Sequence, residues 1–244
     1  ASNIYIADEG TNLIYSVPIA TGGAVTIAAS PGGANNAFVD PQDVDIDSNG
    51  NIYIIGVNPL GQFNLFKHTS AGAFSAMVNV EGSVSAPGYL TGLTIDGVDN
   101  IYVTFTGDEG PPLKDAYIKK YDINLVAGTP AEFGTFGSGN DQFKTPLGLA
   151  AYYDSISSNS YVFVADSKNS RIQKIKDDGT VFSYDSTIQE DKNNILSPND
   201  VAVDSAGNVY VVCEQVNTVK VYNASGVYQY KIGSYGTASG FIKS

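Results

Sequence analysis

The chain has 244 residues, a formal net charge of -12 and a sequence pI near 4.3. Because an acidic surface repels phosphate backbones, nucleic acid is not expected as a partner. The single cysteine, Cys213, excludes an intrachain disulfide, and no run approaches the ~20 apolar residues that a membrane-spanning helix needs.

Charged residues make up only 16% of the chain, whereas Gly, Ser, Thr, Asn and Tyr are plentiful. This composition is typical of exported proteins, so we expect an extracellular or cell-surface location. The first residue is Ala1. That start fits a mature product cut after a small residue, and it equally fits a partial sequence.

An Asn-aromatic signature, "NIYI" in its first copy, recurs along the chain and predicts a structural repeat. The copies align on one aromatic residue each: Tyr5, Tyr53, Tyr102, Phe163 and Tyr210. Successive steps are 48, 49, 61 and 47 residues. The longer third step is rich in turn residues at 106–116 and 155–159, so we expect loop insertions there.

Each repeat contains four short segments with period-two alternation, separated by Gly, Asn and Asp. This pattern predicts antiparallel strands joined by hairpins, and four strands in ~40–50 residues are typical of a β-propeller blade. The expected fold is therefore all-β, one propeller domain over residues 1–244. Five four-stranded repeats begin near residues 3, 51, 100, 161 and 208, and the ring has five or six blades.

The stretch "DVDIDSNGNIY" begins like a calcium-binding loop at Asp45. Such a loop needs a bidentate Glu at its twelfth position, which here is Gly56. The flanking residues alternate as strands do. Asp47 and its equivalents Asp96 and Asp204 are therefore predicted to start tight turns, with the carboxylate accepting a backbone N–H two residues on.

The segment "VADSKNSRIQKIKDDGTVFSY", residues 164–184, resembles an NHL-type repeat, and "SPNDVAVDSAGNVYVV" resembles the strand pair that precedes it in that family. The resemblance is strong over residues 143–230 and degenerate in the first three repeats. It implies a β-propeller, and NHL relatives commonly have six blades. It implies little about activity, because propellers host unrelated functions.

The two ends of the sequence leave one blade incomplete. The segment "IGSYGTASGFIKS" aligns with "FGTFGSGNDQFKTP", which precedes a first strand, but here the chain stops at Ser244. The chain also begins at the second strand of a repeat. Two explanations stay open: further sequence exists, or a neighbouring chain fills the gap by pairing with an open strand edge.

Candidate site residues lie at the start of the innermost strands, where propeller ligands usually bind. Asp43 and Asp200 each lie two residues past a proline, and the other two copies have Gly92 and Gly148 there. The triplet "PND" around Asn199 resembles a segment of the gluconolactonase/senescence-marker propeller hydrolases. This resemblance implies that Asn199 is a ligand of calcium or magnesium, with Asp200 and Asp43 as helpers.

Other chemistry-bearing residues are few. The single histidine, His68, is expected to be a solvated residue at a strand end, so no catalytic residue is predicted. Asn223 opens a glycosylation-type triplet, "NAS", at a predicted hairpin tip. The Gly-rich "GTFGSGNDQF" is predicted to connect two blades.

These observations favour a non-enzymatic, exported binding or assembly module. It would present loops and Tyr-bearing strand faces, such as that of Tyr222, Tyr228 and Tyr230, to proteins, glycans or copies of itself. Head-to-tail contacts that do not close would produce filaments. The alternative is a metal-dependent hydrolase or lactonase of the gluconolactonase-like type, with a cation such as calcium at the channel mouth.

Overall fold

The computed structural model describes residues 3–19, 25–29, 37–80, 88–107, 116–189 and 197–233. Within that part, the chain forms five antiparallel sheets in sequence order. The first has three described strands, β1 (Asn3–Asp8), β2 (Leu13–Pro18) and β3 (Val25–Ala29). The second has four: β4 (Val39–Ile46), β5 (Ile52–Val57), β6 (Phe63–His68) and β7 (Phe74–Asn79).

The remaining three sheets also have four strands each. The third contains β8 (Gly88–Ile95), β9 (Ile101–Gly107), β10 (Ala116–Tyr121) and β11 (Ala127–Phe133). The fourth contains β14 (Pro146–Asp154), β15 (Asn159–Asp166), β16 (Arg171–Asp177) and β17 (Phe182–Ile188). The fifth contains β18 (Pro198–Val203), β19 (Val209–Cys213), β20 (Thr218–Tyr222) and β21 (Tyr228–Ile232).

The sheets follow one another as propeller blades do, which confirms the predicted fold class. Their strands at one edge contact in sequence order: β1 with β4, β4 with β8, β8 with β14, and β14 with β18. We call β4, β8, β14 and β18, the first strands of their sheets, the innermost strands; β1 corresponds to a second strand. In the described part, no helix is long and apolar enough to cross a membrane.

The Asp-initiated turns are confirmed at all three predicted positions. The Oδ1 atom of Asp47 accepts the backbone N–H of Asn49 at 2.9 Å and that of Asn51 at 2.8 Å, while Oδ2 accepts the Asn51 amide and the Tyr53 hydroxyl. Asp96 and Asp204 make the same set of bonds. The spacing D-x-x-x-N-x-Y is therefore the polar hairpin that joins the innermost strand to the second strand.

Each sheet packs on the next through two recurring faces. The face toward the following sheet, which we call the forward face, carries the repeat's aromatic residue; Tyr53, Tyr102 and Phe163 are each at most 2% exposed. The opposite, backward face carries two Ile or Val residues of the second strand, such as Ile101 and Val103. These aromatics fill the space between blades, as the sequence predicted.

Buried polar contacts reinforce the packing between the third and fourth sheets. The Tyr102 hydroxyl donates to Asp177 at 2.8 Å, and Lys120 forms an ion pair with the same carboxylate at 2.7 Å. All three side chains are buried. Because each charged group has its partner, the interface avoids the cost of an isolated buried charge.

The segment "GTFGSGNDQF" connects the third and fourth sheets, as predicted. It contains a short parallel pair, β12 (Thr135–Phe136) and β13 (Gln142–Phe143). Arg171 fixes this connector: its guanidinium donates to the carbonyls of Ser138, Gly139 and Gln142 and pairs with Asp166 at 2.8 Å. The arginine and aspartate of the NHL-like motif therefore have a structural role here.

Several sequence predictions fall on residues that are not described. They are most of the 106–116 insertion, at 108–115, and the C-terminal segment 234–244. The second expected insertion is the turn 155–158 between β14 and β15. Cys213 is fully buried in the core, as its strand pattern predicted.

The prediction for His68 was wrong. This residue ends β6 but is completely buried, with its ring edge-on to Phe38 and Phe74 at centroid distances of 5.8 Å. Both ring nitrogens lack a hydrogen-bond partner among the described residues. The position is covered because Phe38, just before β4, and Phe74, on β7, pack against the ring, which a strand pattern alone does not reveal. Burial lowers the pKa of His68 to about 4.

We expect this neutral histidine to make the fold acid-sensitive. A folded-state pKa below the ordinary 6.5 means that the unfolded chain binds the proton more tightly, so stability falls as pH drops from about 6.5 through 4. Between pH 6.5 and 4, the free energy of unfolding of His68→Leu should therefore fall by about 3 kcal/mol less than that of the original protein. Urea unfolding of both proteins at pH 4 and 7 measures the effect. Equal pH dependence in the two would contradict it.

Candidate functional site

The innermost strands share an irregularity at the end where they begin. The antiparallel register shifts between Val39 and Asp43 in β4, and between Pro198 and Asp200 in β18. After the shift, Asp43 pairs with Ile55 and Asp200 pairs with Val212. The two aspartates thus occupy equivalent positions near the mouth of the channel, as the sequence alignment predicted.

Asp43 joins two blades. Its Oδ1 accepts the N–H of Val44 at 2.8 Å, and its Oδ2 accepts the N–H of Leu93 in the next sheet at 2.9 Å. Asp45 repeats the arrangement one step further along, with the N–H of Ile95 at 2.7 Å. These carboxylates therefore link the innermost strands β4 and β8, which lack a direct ladder.

Asp200 begins the same arrangement but does not complete it. Its Oδ1 accepts the N–H of Val201 at 2.8 Å, as the equivalent oxygen of Asp43 does with Val44. Its second oxygen has no hydrogen-bond partner among the described residues. Gly148 lies beside it, and a Cβ at that glycine would fall 2.0 Å from Oδ1 of Asp200. Glycine is required there because the innermost strands β14 and β18 approach closely.

The channel carboxylates are held in an environment that disfavours their charge. Desolvation is the largest cause that raises the pKa of Asp43 to about 7. The two N–H bonds lower this pKa, and the charges of Asp200 and Asp45 raise it further. Desolvation also raises the pKa values of Asp45 and Asp200. Asp200 is exposed as a whole residue. Asp43 and Asp200 are thus close enough to repel each other.

The predicted cation site is only partly assembled. Calcium takes six to eight oxygen ligands. Both oxygens of Asp43 already accept backbone N–H groups, and no cluster of three or more His, Cys, Asp or Glu side chains suited to a metal occurs in the described ranges. Asn199 is exposed beside Asp200. These residues do not by themselves provide a calcium shell.

Asn223 lies where the sequence placed it, in the turn between β20 and β21. Its Oδ1 accepts the N–H groups of Ser225 at 3.1 Å and Val227 at 3.0 Å. The turn is at the surface, with Ala224 and Ser225 exposed. Glycosylation at Asn223 stays a prediction.

A pocket of about 590 Å³ opens at the same end of the blades as the channel aspartates. The second, third and fourth sheets contribute its lining: Asp40, Gln42, Val57, Phe63, Tyr89, Leu90, Thr91, Thr106, Gly107, Thr145, Leu147 and Lys168. The hydroxyls of Thr91 and Thr106 both donate to the carbonyl of Pro146 in the fourth sheet. This wall is therefore rigid, and it joins two blades.

Two sheet faces are left uncovered. On the forward face of the fifth sheet, Val212 is 40% exposed, Tyr230 52% and Ile232 49%. On the backward face of the first sheet, Ile4 is 54% exposed and Ile6 43%. All five belong to faces that are buried wherever another sheet follows or precedes. The sequence predicted outward tyrosines at 228 and 230 correctly, while Tyr222 is fully buried.

The pocket was not predicted from the sequence. Its aromatic residues, Phe63 and Tyr89, belong to different repeats and occupy different positions within them. The repeat pattern therefore gave no common signal for them. A usable clue was a departure from the repeat: Tyr89 lies three residues before Gly92, at a position where the other copies have the polar residues Asp40, Thr145 and Ser197.

The fold and these sites define a β-propeller protein. Solved structures with a similar fold include a streptogramin B lyase (TM-score 0.62, 15% identity over 93% of this chain) and a luciferin-regenerating enzyme (TM-score 0.61, 13% identity over 94%). A gluconolactonase from Xanthomonas campestris has a TM-score of 0.55 and 11% identity over 86%. These are β-propellers. At such identities the likeness concerns the fold alone.

This chain spans 64% of the lyase, 71% of the luciferin-regenerating enzyme and 65% of the gluconolactonase. No protein-family model matches the sequence, and neither does any curated protein. Membership in the NHL family therefore stays a resemblance.

The raised pKa of Asp43 gives a measurable pH dependence. The folded chain binds this proton more tightly than the unfolded chain, so the stability due to the protonated carboxyl is present below about pH 4 and is lost as pH rises through about 7. We expect Asp43→Asn to flatten the decline between pH 5 and 8 in urea unfolding.

Asp200→Asn serves as the matched variant, because it removes the charge that raises the pKa of Asp43 without changing Asp43 itself. It should move the midpoint of the decline to lower pH. If neither variant alters the curve, the two carboxylates do not interact.

Proposed function

We propose that this protein is a non-enzymatic, exported binding or assembly module. In this proposal the uncovered faces of the first and fifth sheets are covered by further β-structure, from the rest of the same polypeptide or from a second one. One observation carries the proposal. Val212 is 40% exposed, whereas its counterparts in the second, third and fourth sheets, Ile55, Thr104 and Ala165, are fully buried. Among the described residues, no sheet covers Val212 as the following sheets cover those counterparts.

The first sheet supports the same conclusion from the other side. Ile4 and Ile6 are about half exposed, while Ile52 and Ile54, their counterparts in the second sheet, are at most 1% exposed. Covering a large apolar side chain stabilises an interface by roughly 1.5–3 kcal/mol. Two apolar faces of the type that meet inside this chain therefore favour a partner of the same construction.

Polar groups on the fifth sheet indicate how such a partner would be aligned. The Oδ2 atom of Asp43 accepts the N–H of Leu93 in the following sheet, and the equivalent oxygen of Asp200 has no partner among the described residues. The Tyr53 hydroxyl donates to the Ile123 carbonyl of the following sheet, whereas the Tyr210 hydroxyl, among the described residues, bonds to Asp204 of its own turn. A docked innermost strand would supply the missing N–H.

The exported character rests on composition, with 16% charged residues and an acidic surface. The non-enzymatic character rests on how the chemistry-bearing side chains are used. His68 and Cys213 are buried in the core, and Arg171 and Asp166 hold a connector. The protein would then act by binding its partner through surface complementarity on a rigid scaffold.

The test follows self-association of the whole chain by analytical ultracentrifugation over a range of protein concentrations. We expect association that increases with concentration. Val212→Asp should weaken it at least about tenfold, because a charge would be buried in the interface.

Ile156→Asp is the control, since Ile156 is 95% exposed on the turn between β14 and β15 and lies on neither uncovered face. Oligomers that Val212→Asp disperses and Ile156→Asp leaves intact would identify copies of this chain as the source of the covering β-structure. A protein that stays monomeric at every concentration would contradict self-assembly through these faces.

A second candidate function is a metal-dependent hydrolase or lactonase with a cation at Asn199, Asp200 and Asp43. The mutual repulsion of Asp43 and Asp200 favours it, because a bound cation would relieve that repulsion. The gluconolactonase and the lyase share the fold with this chain, so they favour a hydrolase no more than any other propeller function.

Calcium titration distinguishes the two candidates. If the cation site exists, millimolar calcium raises the melting temperature, a chelator reverses the rise, and Asp200→Asn abolishes it. We expect no shift under the binding-module proposal. A calcium-dependent shift that requires Asp200 would favour the hydrolase.

A further inference from the structure

We propose that the channel-mouth pocket binds an uncharged saccharide. This site is distinct from the two uncovered sheet faces, and nothing in the proposed function depends on it. Its volume of about 590 Å³ lies within the usual range for small-molecule sites. An aromatic wall, a polar wall and the balance of charge in the pocket favour such a ligand.

The aromatic wall offers a stacking surface. Tyr89 is 62% exposed, which is unusual for a large aromatic ring on an innermost strand. Its ring stands edge-on to Phe63 at 6.1 Å, and Phe63 packs on the buried Phe105 at 6.3 Å. The platform is thereby fixed from behind while one side of Tyr89 stays accessible. The negative face of such a ring attracts the C–H groups along one side of a sugar ring.

The polar wall offers acceptors for hydroxyl groups. Asp40 is held in the left-handed conformation (φ 54°) before Pro41, and its N–H donates to Oδ1 of Asn12 at 2.5 Å. The Asp40 carboxylate accepts the Gln42 amide at 2.8 Å, which orients the amide and leaves its carbonyl oxygen as an acceptor. A carboxylate and an amide beside an aromatic ring suit a ligand that is rich in hydroxyl donors.

Charge argues against ionic ligands. An anion entering the pocket meets Asp40 and the field of a chain with net charge -12, while Lys168, which also lines the pocket, opposes a cation that this field attracts. The threonine hydroxyls are already committed to Pro146, so they do not compete for the ligand. A neutral sugar ring with one apolar side can stack on Tyr89 and donate its hydroxyl groups to Asp40 and Gln42. It carries no charge that Asp40 or Lys168 would repel.

The experiment compares three sugars that differ in charge: methyl β-D-glucopyranoside, glucuronate and glucosamine. Binding to the whole chain is followed by saturation-transfer NMR and by tyrosine fluorescence, since the sequence has no tryptophan. We expect the neutral glycoside to bind with a dissociation constant in the millimolar range or below, and the two charged sugars to bind more weakly.

Tyr89→Ala should weaken the neutral sugar at least about tenfold, and Asp40→Asn, which keeps the backbone conformation accessible, should weaken it less. Tyr230→Ala is the matched control, since Tyr230 is similarly exposed but lies on the fifth sheet. No binding of the neutral glycoside, tighter binding of a charged sugar, or equal loss in Tyr89→Ala and Tyr230→Ala would overturn the proposal. Val212→Asp, which tests the sheet faces, should leave sugar binding unchanged.

Discussion

The structure depends on one repeated contact, the packing of an aromatic forward face against two β-branched residues of the next sheet. Tyr53 meets Ile101 and Val103 in this way, and Phe163 meets Val209 and Val211. No single sheet could bury both of its faces alone, so each blade is stable only between neighbours. Tyrosine serves this purpose because its ring fills the gap while its hydroxyl returns to the Asp turn that begins its own strand.

The same dependence makes the two uncovered faces informative. Where the repeated contact is present, its residues are almost completely buried; where it is missing, Val212, Ile4 and Ile6 are about half exposed. The polar groups show the same difference. Among the described residues, Asp200 and Tyr210 form hydrogen bonds within their own sheet and none to a following sheet. The candidate docking surface is therefore defined by comparison within one molecule.

The channel mouth combines structural and binding roles in neighbouring residues. Asp43 has a raised pKa, a feature often associated with catalysis, yet both of its oxygens accept backbone N–H groups, one of them from the adjacent blade. The pocket a short distance away uses residues outside the repeat, notably Tyr89 and Asp40, on walls that the threonine bonds to Pro146 hold in place. A rigid repeat scaffold thus carries a site that the repeat itself does not encode.

Local sequence determined the hairpins, because the Asp47, Asp96 and Asp204 turns need only residues within six positions of each other. The period of the aromatic residues likewise determined the blades and the equivalence of Asp43 with Asp200. Only the tertiary structure decided that His68 is buried, that Asp43 bonds to Leu93, and that Phe63 and Tyr89 form one wall. Each of these brings together segments that are separate along the chain, from different strands for His68 and from different sheets for the other two, so their meeting depends on how strands and sheets pack rather than on a repeated spacing.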